Sequence, residues 1–231
     1  SEMLGALGLS SMDELFANIP EGVRRADPLP LPQPQSEEQI LEDARRLLGA
    51  NVHLDSRPSF ISAGLARNFV PTMVPMLATR GEFLTSYTPY QPEVSQGMLQ
   101  AMWEFQTMVS ELVGLPISNV SMYDASTSAA EAITCAVRVK SKKASQPSSV
   151  YISELVPPHR LSVIENYTQG VGIVLHTLPH NEDGTLDLEA AASAAGSCAV
   201  YVEQPNALGL LDEGLMDLRA AIGDSTALIV G

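Results

Sequence analysis

From residue 149 to the end of the chain, short apolar runs alternate with amphipathic segments, a pattern that predicts strands separated by helices. The predicted strands are short and almost wholly apolar, which is typical of a parallel sheet that is covered on both faces. We therefore predict an α/β fold with a mostly parallel sheet and helices on both faces. The predicted strands cover 149–153, 172–176, 198–202 and 226–230, and the predicted helices cover 127–139, 159–168, 186–195 and 215–222.

The first 60 residues follow a different pattern. Ser11 to Glu14 and Ser36 to Gln39 are capping-box patterns that open short helices, the first ending near Pro20 and the second at Gly49. Residues 27–35, DPLPLPQPQ, predict an extended proline-rich strap. Two short helices and a strap have too little apolar surface to form a core of their own. We therefore predict an N-terminal arm over 1–60 that lies on a partner or on the main domain. The main domain is predicted to occupy 61–231.

The helix predicted after Pro92 is apolar over much more than one stripe and ends at Gly114. An all-round apolar helix is expected to be buried on most sides. The last predicted strand stands at the end of the sequence. Because ligand sites of parallel sheets form beyond the carboxyl ends of the strands, we expect this chain to be the first part of a longer protein.

The charge and the hydropathy of the sequence exclude some classes of partner. The sequence has 27 acidic and 13 basic side chains, a net charge of −14, which argues against nucleic acid because phosphate binding needs a basic face. It has no apolar run near the roughly 20 residues of a membrane span and no signal-peptide pattern. We expect a cytoplasmic protein without a membrane partner. The four histidines do not cluster, so no metal site is expected.

Residues 86–97, SYTPYQPEVSQG, form a polar loop that leads into the apolar helix. The loop holds Tyr87, Thr88 and Tyr90, and its prolines fix the backbone that presents their hydroxyl groups. Two interpretations stand side by side from these residues alone: a preorganised binding element, or a structural entry to the helix.

A second candidate site precedes the helix predicted from residue 127. Ser126 and Thr127 lie at its start, where free backbone N–H groups and hydroxyls can bind an anion. The alternative is an ordinary N-cap without a ligand. The glycine-rich run and lysine of a P-loop are absent, and no GxGxxG follows a predicted strand. The three lysines, Lys140, Lys142 and Lys143, sit together at one helix end, and a Schiff-base lysine needs a desolvated setting.

Several motifs together resemble the glycine decarboxylase family, the P-protein of the glycine cleavage system, and in particular subunit 1 of its two-subunit form. They are TSYTPYQPEVSQG at 85–97, MLQAMWEFQTMVSELVGLPISNVSMYD at 98–124, AAEA at 129–132 and VYVEQPNALG at 200–209. The opening LGLSSMDELFANIP at 7–20 is also similar. Ala125 and the segment VPPHR at 156–160 depart from the family pattern, and His159 is assigned no role.

The resemblance implies a fold-type I pyridoxal-phosphate-enzyme architecture, truncated here at its C-terminal side. It implies that subunit 2 holds the pyridoxal phosphate and that none is covalently bound to this chain, which would be inactive alone. The assembled enzyme, a heterotetramer, would decarboxylate glycine and pass the aminomethyl group to the lipoyl arm of the H-protein. Tyr87, Thr88 and Tyr90 would line the active site across the interface, and Ser126 and Thr127 would be vestiges of a phosphate loop.

Two other interpretations remain open from the sequence. The chain could belong to a self-sufficient fold-type I enzyme of the aminotransferase kind, with its lysine beyond residue 231. It could instead be a structural pseudoenzyme subunit that contacts no substrate. A lysine in a downstream strand-to-loop context would favour the first, and full activity after substitution of Tyr87 and Thr88 would favour the second.

Overall fold

The structure is a computed structural model that describes residues 2–25, 27–53, 57, 58, 60, 68–84, 88–120, 122–140 and 148–231. The chain divides into two compact units, residues 1–60 and residues 61–231. Within the described residues, no helix is both long and apolar enough to cross a membrane.

The first unit contains helices α1 (Glu2–Ala6) and α2 (Glu37–Leu48) and two short 3₁₀ helices (Asp13–Phe16 and Glu21–Val23). The capping box predicted for α2 is confirmed, since the Ser36 hydroxyl accepts the amide of Gln39 while the Gln39 side chain accepts the amide of Ser36. The box predicted at Ser11 is wrong. Met12 holds the N-cap position of a single 3₁₀ turn, which has no side-chain cap, and Glu14 instead accepts hydrogen bonds from Ser10.

The second unit is built on one four-stranded sheet. Its strands are β1 (Ser148–Ser153), β2 (Ile173–Leu178), β3 (Ala199–Val202) and β4 (Ala227–Val230), and they lie in the order β2-β1-β3-β4. All three strand pairs are parallel, and Val150 sits beside both Leu175 and Ala199. The parallel α/β architecture predicted from the alternating pattern is therefore confirmed.

Helices of the second unit lie close to their predicted positions where apolar periodicity is strong. The helix predicted for 186–195 is shorter than expected, because its first turn is capped by the Asp187 carboxylate and its end tightens into a 3₁₀ turn (Ala192–Ala194). A further 3₁₀ turn, Pro92–Val94, precedes α5. The α-helices are α3 (Met73–Ala78), α4 (Gly81–Leu84), α5 (Gln96–Val113), α6 (Ala125–Lys140), α7 (Pro158–Gln169), α8 (Leu188–Ala191) and α9 (Leu215–Ile222).

The sheet has an apolar core on each face. On one face, Val150 and Ala199 pack with Ile133 of α6 and Ile164 of α7. On the other face, Val200 packs with residues that include Leu218 and Ile222 of α9. Neighbouring strand residues point to opposite faces, which explains why Ala199 and Val200 belong to different cores. Each valine, leucine or isoleucine side chain of these cores contributes about 1.5–3 kcal/mol when it is fully buried.

Helix α5 departs from expectation. It ends as predicted, at Gly114 in the left-handed conformation with φ 67°. However, none of its described residues is buried, and the Trp103 side chain is 70% exposed. The burial predicted for α5 is therefore wrong for this chain, because the described residues cover the helix only in part.

Candidate functional site

The carboxyl ends of the four parallel strands meet at one edge of the sheet. The chain runs from β1 outward to β2 and then returns to β3 on the other side of β1. The point between β1 and β3 is therefore the topological switch point, where open α/β sheets form a crevice that receives ligands. The residues that follow β1 and β3 decide what this crevice can bind.

A buried ion pair bridges the crevice. Arg160, in the first turn of α7 after β1, places Nη1 2.6 Å from Oε1 of Glu203, which directly follows β3. The two side chains are 17% and 5% exposed. The Tyr201 hydroxyl donates to the same Oε1 over 2.9 Å. Together these three residues form the edge cluster, a hydrogen-bonded group that joins the loops on both sides of the switch point.

The electrostatics of the edge cluster keep both partners of the carboxylate protonated. Burial acts to lower the pKa of Arg160, but interactions with Tyr201 and Glu203 outweigh it, so that this pKa is raised. Burial first, and the negative charge of Glu203 second, raise the pKa of Tyr201. Arg160 Nε is buried and has no hydrogen-bond partner among the described atoms.

The start of α6 carries its own carboxylate. Asp124 Oδ1 accepts the backbone amides of Ser126 over 2.8 Å and of Thr127 over 2.9 Å, and the Thr127 hydroxyl donates to Oδ2 over 3.1 Å. These hydrogen bonds lower the pKa of Asp124, and the bond from the Thr127 amide has the largest effect. The positive charge of Arg160 lowers this pKa further. The amide groups that an anion would use at this helix N-terminus are thus already bonded to an internal anion.

The loop after β3 is held by its own side chains. Asn206 Oδ1 accepts the amides of Leu208 and Leu210, and Gln204 exchanges two hydrogen bonds with the backbone of Asp212. The Asp212 carboxylate is buried and accepts the amides of Leu186 and Gly214. A small cavity lies beside this loop. It is lined by Ser153, Leu155, Leu186, Val202, Glu203, Asn206, Asp212 and Leu215.

The residues predicted from the 86–97 loop belong to the second unit and precede α5 in the sequence. Thr88 is exposed, and Tyr90 is 88% exposed just before the 3₁₀ turn that opens α5. Tyr87 lies outside the described residues. Ser126 and Thr127 are partly buried at the start of α6. No hydrogen bond in the described part of the chain joins Thr88 or Tyr90 to this pair.

Sequence reasoning missed the role of Arg160. The segment VPPHR drew attention to His159, whereas it is the next residue that reaches the edge cluster. Glu203 could have been found from the sequence, because it directly follows a buried apolar strand and a buried carboxylate needs a partner. Among the described residues, no group of three histidine, cysteine or acidic side chains is arranged to hold a metal ion.

The family model and the relatives that match this chain name the same family. The family model described as "Glycine cleavage system P-protein" matches residues 1–230. A "Probable glycine dehydrogenase (decarboxylating) subunit 1" of Pyrococcus abyssi (strain GE5 / Orsay) is 43% identical over 233 residues, which cover 99% of this chain and 50% of the relative. The protein of that name from Brevibacillus brevis is 40% identical over 214 residues, 92% of this chain and 46% of the relative.

A solved structure shares the fold. It is a crystal structure of glycine decarboxylase (P-protein) of the glycine cleavage system in inhibitor-bound form, 39% identical, with a TM-score of 0.79. The match covers 99% of this chain and 50% of that one. The chain therefore spans about half the length of the relatives that it matches.

Proposed function

Because the chain belongs to the glycine cleavage system P-protein family, we propose that it is part of subunit 1 of a glycine dehydrogenase (decarboxylating). The observation that carries this proposal is 43% identity over 99% of the chain to a relative of that name. The architecture agrees, since the sheet and its helices match a solved glycine decarboxylase at a TM-score of 0.79. In this proposal the substrate is glycine and the protein acts only together with a second subunit.

The second subunit is proposed to hold pyridoxal phosphate, which supplies an electron sink for decarboxylation. The assembled enzyme would then pass the aminomethyl group to the lipoyl arm of the H-protein. The three lysines of the given sequence, Lys140, Lys142 and Lys143, all come before β1 in the sequence, so none of them follows a strand of the sheet along the chain. The contribution of this chain is therefore proposed to be structural support and active-site completion.

Tyr87, Thr88 and Tyr90 are proposed to complete the active site of subunit 2. The exposure of Thr88 and of the Tyr90 ring supports this, because a side chain that reaches into a partner must leave its own chain. The loop runs through the Pro92–Val94 turn directly into the 18-residue helix α5. A loop on such a rigid element can present hydroxyl groups at a small ordering cost.

Residues 1–60 are proposed to act as an arm that packs against the assembled enzyme, with 61–231 as the first part of the large domain. Apolar side chains of the arm are exposed, among them Ile40, Leu47 and Leu48 of α2. Exposed apolar surface of this extent is typical of a surface that meets a partner.

The test of the proposed function is reconstitution. This protein, in the longest form that its gene encodes, is co-expressed with the second subunit and supplied with lipoylated H-protein, pyridoxal phosphate and glycine labelled in its carboxyl carbon. We expect exchange of that carbon with bicarbonate only when both subunits are present. Exchange by the second subunit alone at the same rate would contradict the proposal.

A further inference from the structure

Pyridoxal phosphate, the cofactor implied by the fold family, does not fit the ligand side of this chain's own sheet. The cofactor needs donors for its phosphate group and space at the carboxyl ends of the strands. Two observations on separate elements bear on these needs, one at the start of α6 and one across the switch point.

The first observation is the position of Asp124. Its carboxylate accepts the amides of Ser126 and Thr127 and the Thr127 hydroxyl. A phosphate at these donors would replace the carboxylate or stand beside it. Two like charges at hydrogen-bonding distances repel each other. The pKa of Asp124 is lowered, so the carboxylate stays ionised at neutral pH.

The second observation is the edge cluster. Arg160 could pair with a phosphate or a carboxylate, but its Nη1 lies 2.6 Å from Oε1 of Glu203, whose side chain is 5% exposed. The Tyr201 hydroxyl is bonded to the same oxygen. The cavity beside Glu203 offers only about 10 Å³ to the centre of a water-sized molecule, which is room for about one water and not for a cofactor. The crevice at the switch point is thus filled by the protein's own charges.

We propose that Asp124 and the Arg160–Glu203 pair act as internal substitutes for a ligand and exclude pyridoxal phosphate from this chain even when no Schiff base is required. Asp124 takes the place of the phosphate on α6, and the ion pair closes the crevice between β1 and β3. This inference does not rest on the proposed function, since it concerns the isolated chain and no partner.

Pyridoxamine phosphate is the probe that tests the proposal, because it carries the phosphate but forms no aldimine with a lysine. Its binding to the wild-type chain and to Asp124→Asn is measured by fluorescence titration. In a parallel NMR titration, inorganic phosphate is added and the amide chemical shifts of Ser126 and Thr127 report its binding. Asn keeps an oxygen acceptor for the two amides and removes the charge. A second variant, Asp124→Ser, preserves a capping hydroxyl in case Asn disturbs the turn.

We expect no saturable binding to the wild-type chain. The Asp124 variants should bind inorganic phosphate at the α6 amides at least roughly tenfold more tightly than wild type does. Asp183→Asn is the matched control, because Asp183 also accepts a backbone amide and a hydroxyl, both from Thr185. Saturable binding of pyridoxamine phosphate by the wild-type chain would overturn the proposal. Folded Asp124 variants that bind phosphate no better than wild type would overturn it as well.

Discussion

Gly231 lies so close to Tyr201 that a Cβ atom at position 231 would overlap the tyrosine hydroxyl oxygen. The two residues are held in place from both sides. The Gly231 amide donates to Val202 O and its carbonyl accepts the amide of Gln204, while the Tyr201 side chain is buried and donates to Glu203. Neither partner can move away without breaking a hydrogen bond, so the contact ties the end of β4 to the edge cluster.

Gly231→Ala is expected to lower the free energy of unfolding by about 1–3 kcal/mol, the usual cost of an extra methyl group in a packed site. Tyr201→Phe removes the hydroxyl and should recover part of the loss when it is combined with Gly231→Ala. Urea denaturation of the two single variants and the double variant measures this coupling. Strictly additive effects would show that the two residues do not constrain each other.

Arg160→Met is expected to destabilise the chain by about 3–5 kcal/mol, because it leaves the buried Glu203 carboxylate without a counter-charge. Replacing both partners, as in Arg160→Met with Glu203→Leu, should restore much of the stability. Arg80→Met is the matched control. Arg80 pairs with Glu82 on the surface, where both side chains are more than half exposed, so the substitution of Arg80 should leave the free energy of unfolding almost unchanged.

The free energies of unfolding of the Arg160 and Arg80 variants are measured by urea denaturation, which is followed by far-UV circular dichroism. Equal losses for Arg160→Met and Arg80→Met would contradict it, since the buried and exposed pairs would then be equivalent. A double variant at positions 160 and 203 that is less stable than either single variant would also count against the ion-pair account.

The sequence predicted the elements whose causes are local. The Ser36 capping box and the apolar strands follow from neighbouring residues, and the structure has both. It did not predict the Arg160–Glu203 pair, because that contact arises only when the chain passes through β2 and α8 and returns beside β1. The burial of α5 was overestimated for a related reason: a helix pattern shows that a covering surface is needed but not which residues provide it.

Low pH is expected to weaken the start of α6. The pKa of Asp124 in the folded chain is below the ordinary value of 3.8, mainly because its carboxylate accepts the Thr127 amide. A carboxylate with a lowered folded pKa stabilises the fold above its unfolded pKa, and this stabilisation is lost as the pH falls through the folded pKa. The free energy of unfolding should therefore fall more steeply between about pH 6 and about pH 3 in wild type than in Asp124→Asn. Parallel curves would refute this contribution.

Deletion of residues 1–35 is expected to weaken pairing with the second subunit more than it affects the sheet domain. The sheet and both of its cores consist of residues from the second unit, so they should remain folded. The measurements are a pull-down with subunit 2 and a thermal unfolding curve of the deleted chain. Pairing that is unchanged by the deletion would count against the proposed role of the arm.

Tyr90→Phe and Tyr87→Phe test the role of the 86–97 loop in the reconstituted enzyme. The Tyr90 ring is 88% exposed, so the loss of its oxygen should leave the fold of this chain intact. A hydroxyl that bonds a charged substrate group in a dry pocket contributes up to roughly 3 kcal/mol, and a neutral bond contributes about 0.5–1.5 kcal/mol. Each variant should therefore reduce glycine decarboxylation by roughly 3- to 100-fold.

Tyr167→Phe is the control for these two variants. Tyr167 is an exposed tyrosine on α7, outside the loop, and its variant should keep wild-type activity. Assembly with subunit 2 is followed by size-exclusion chromatography, because a variant that fails to assemble would lose activity for another reason. If both loop variants assemble and exchange the carboxyl carbon of glycine at the wild-type rate, the loop only supports α5 and its hydroxyl groups take no part in the reaction.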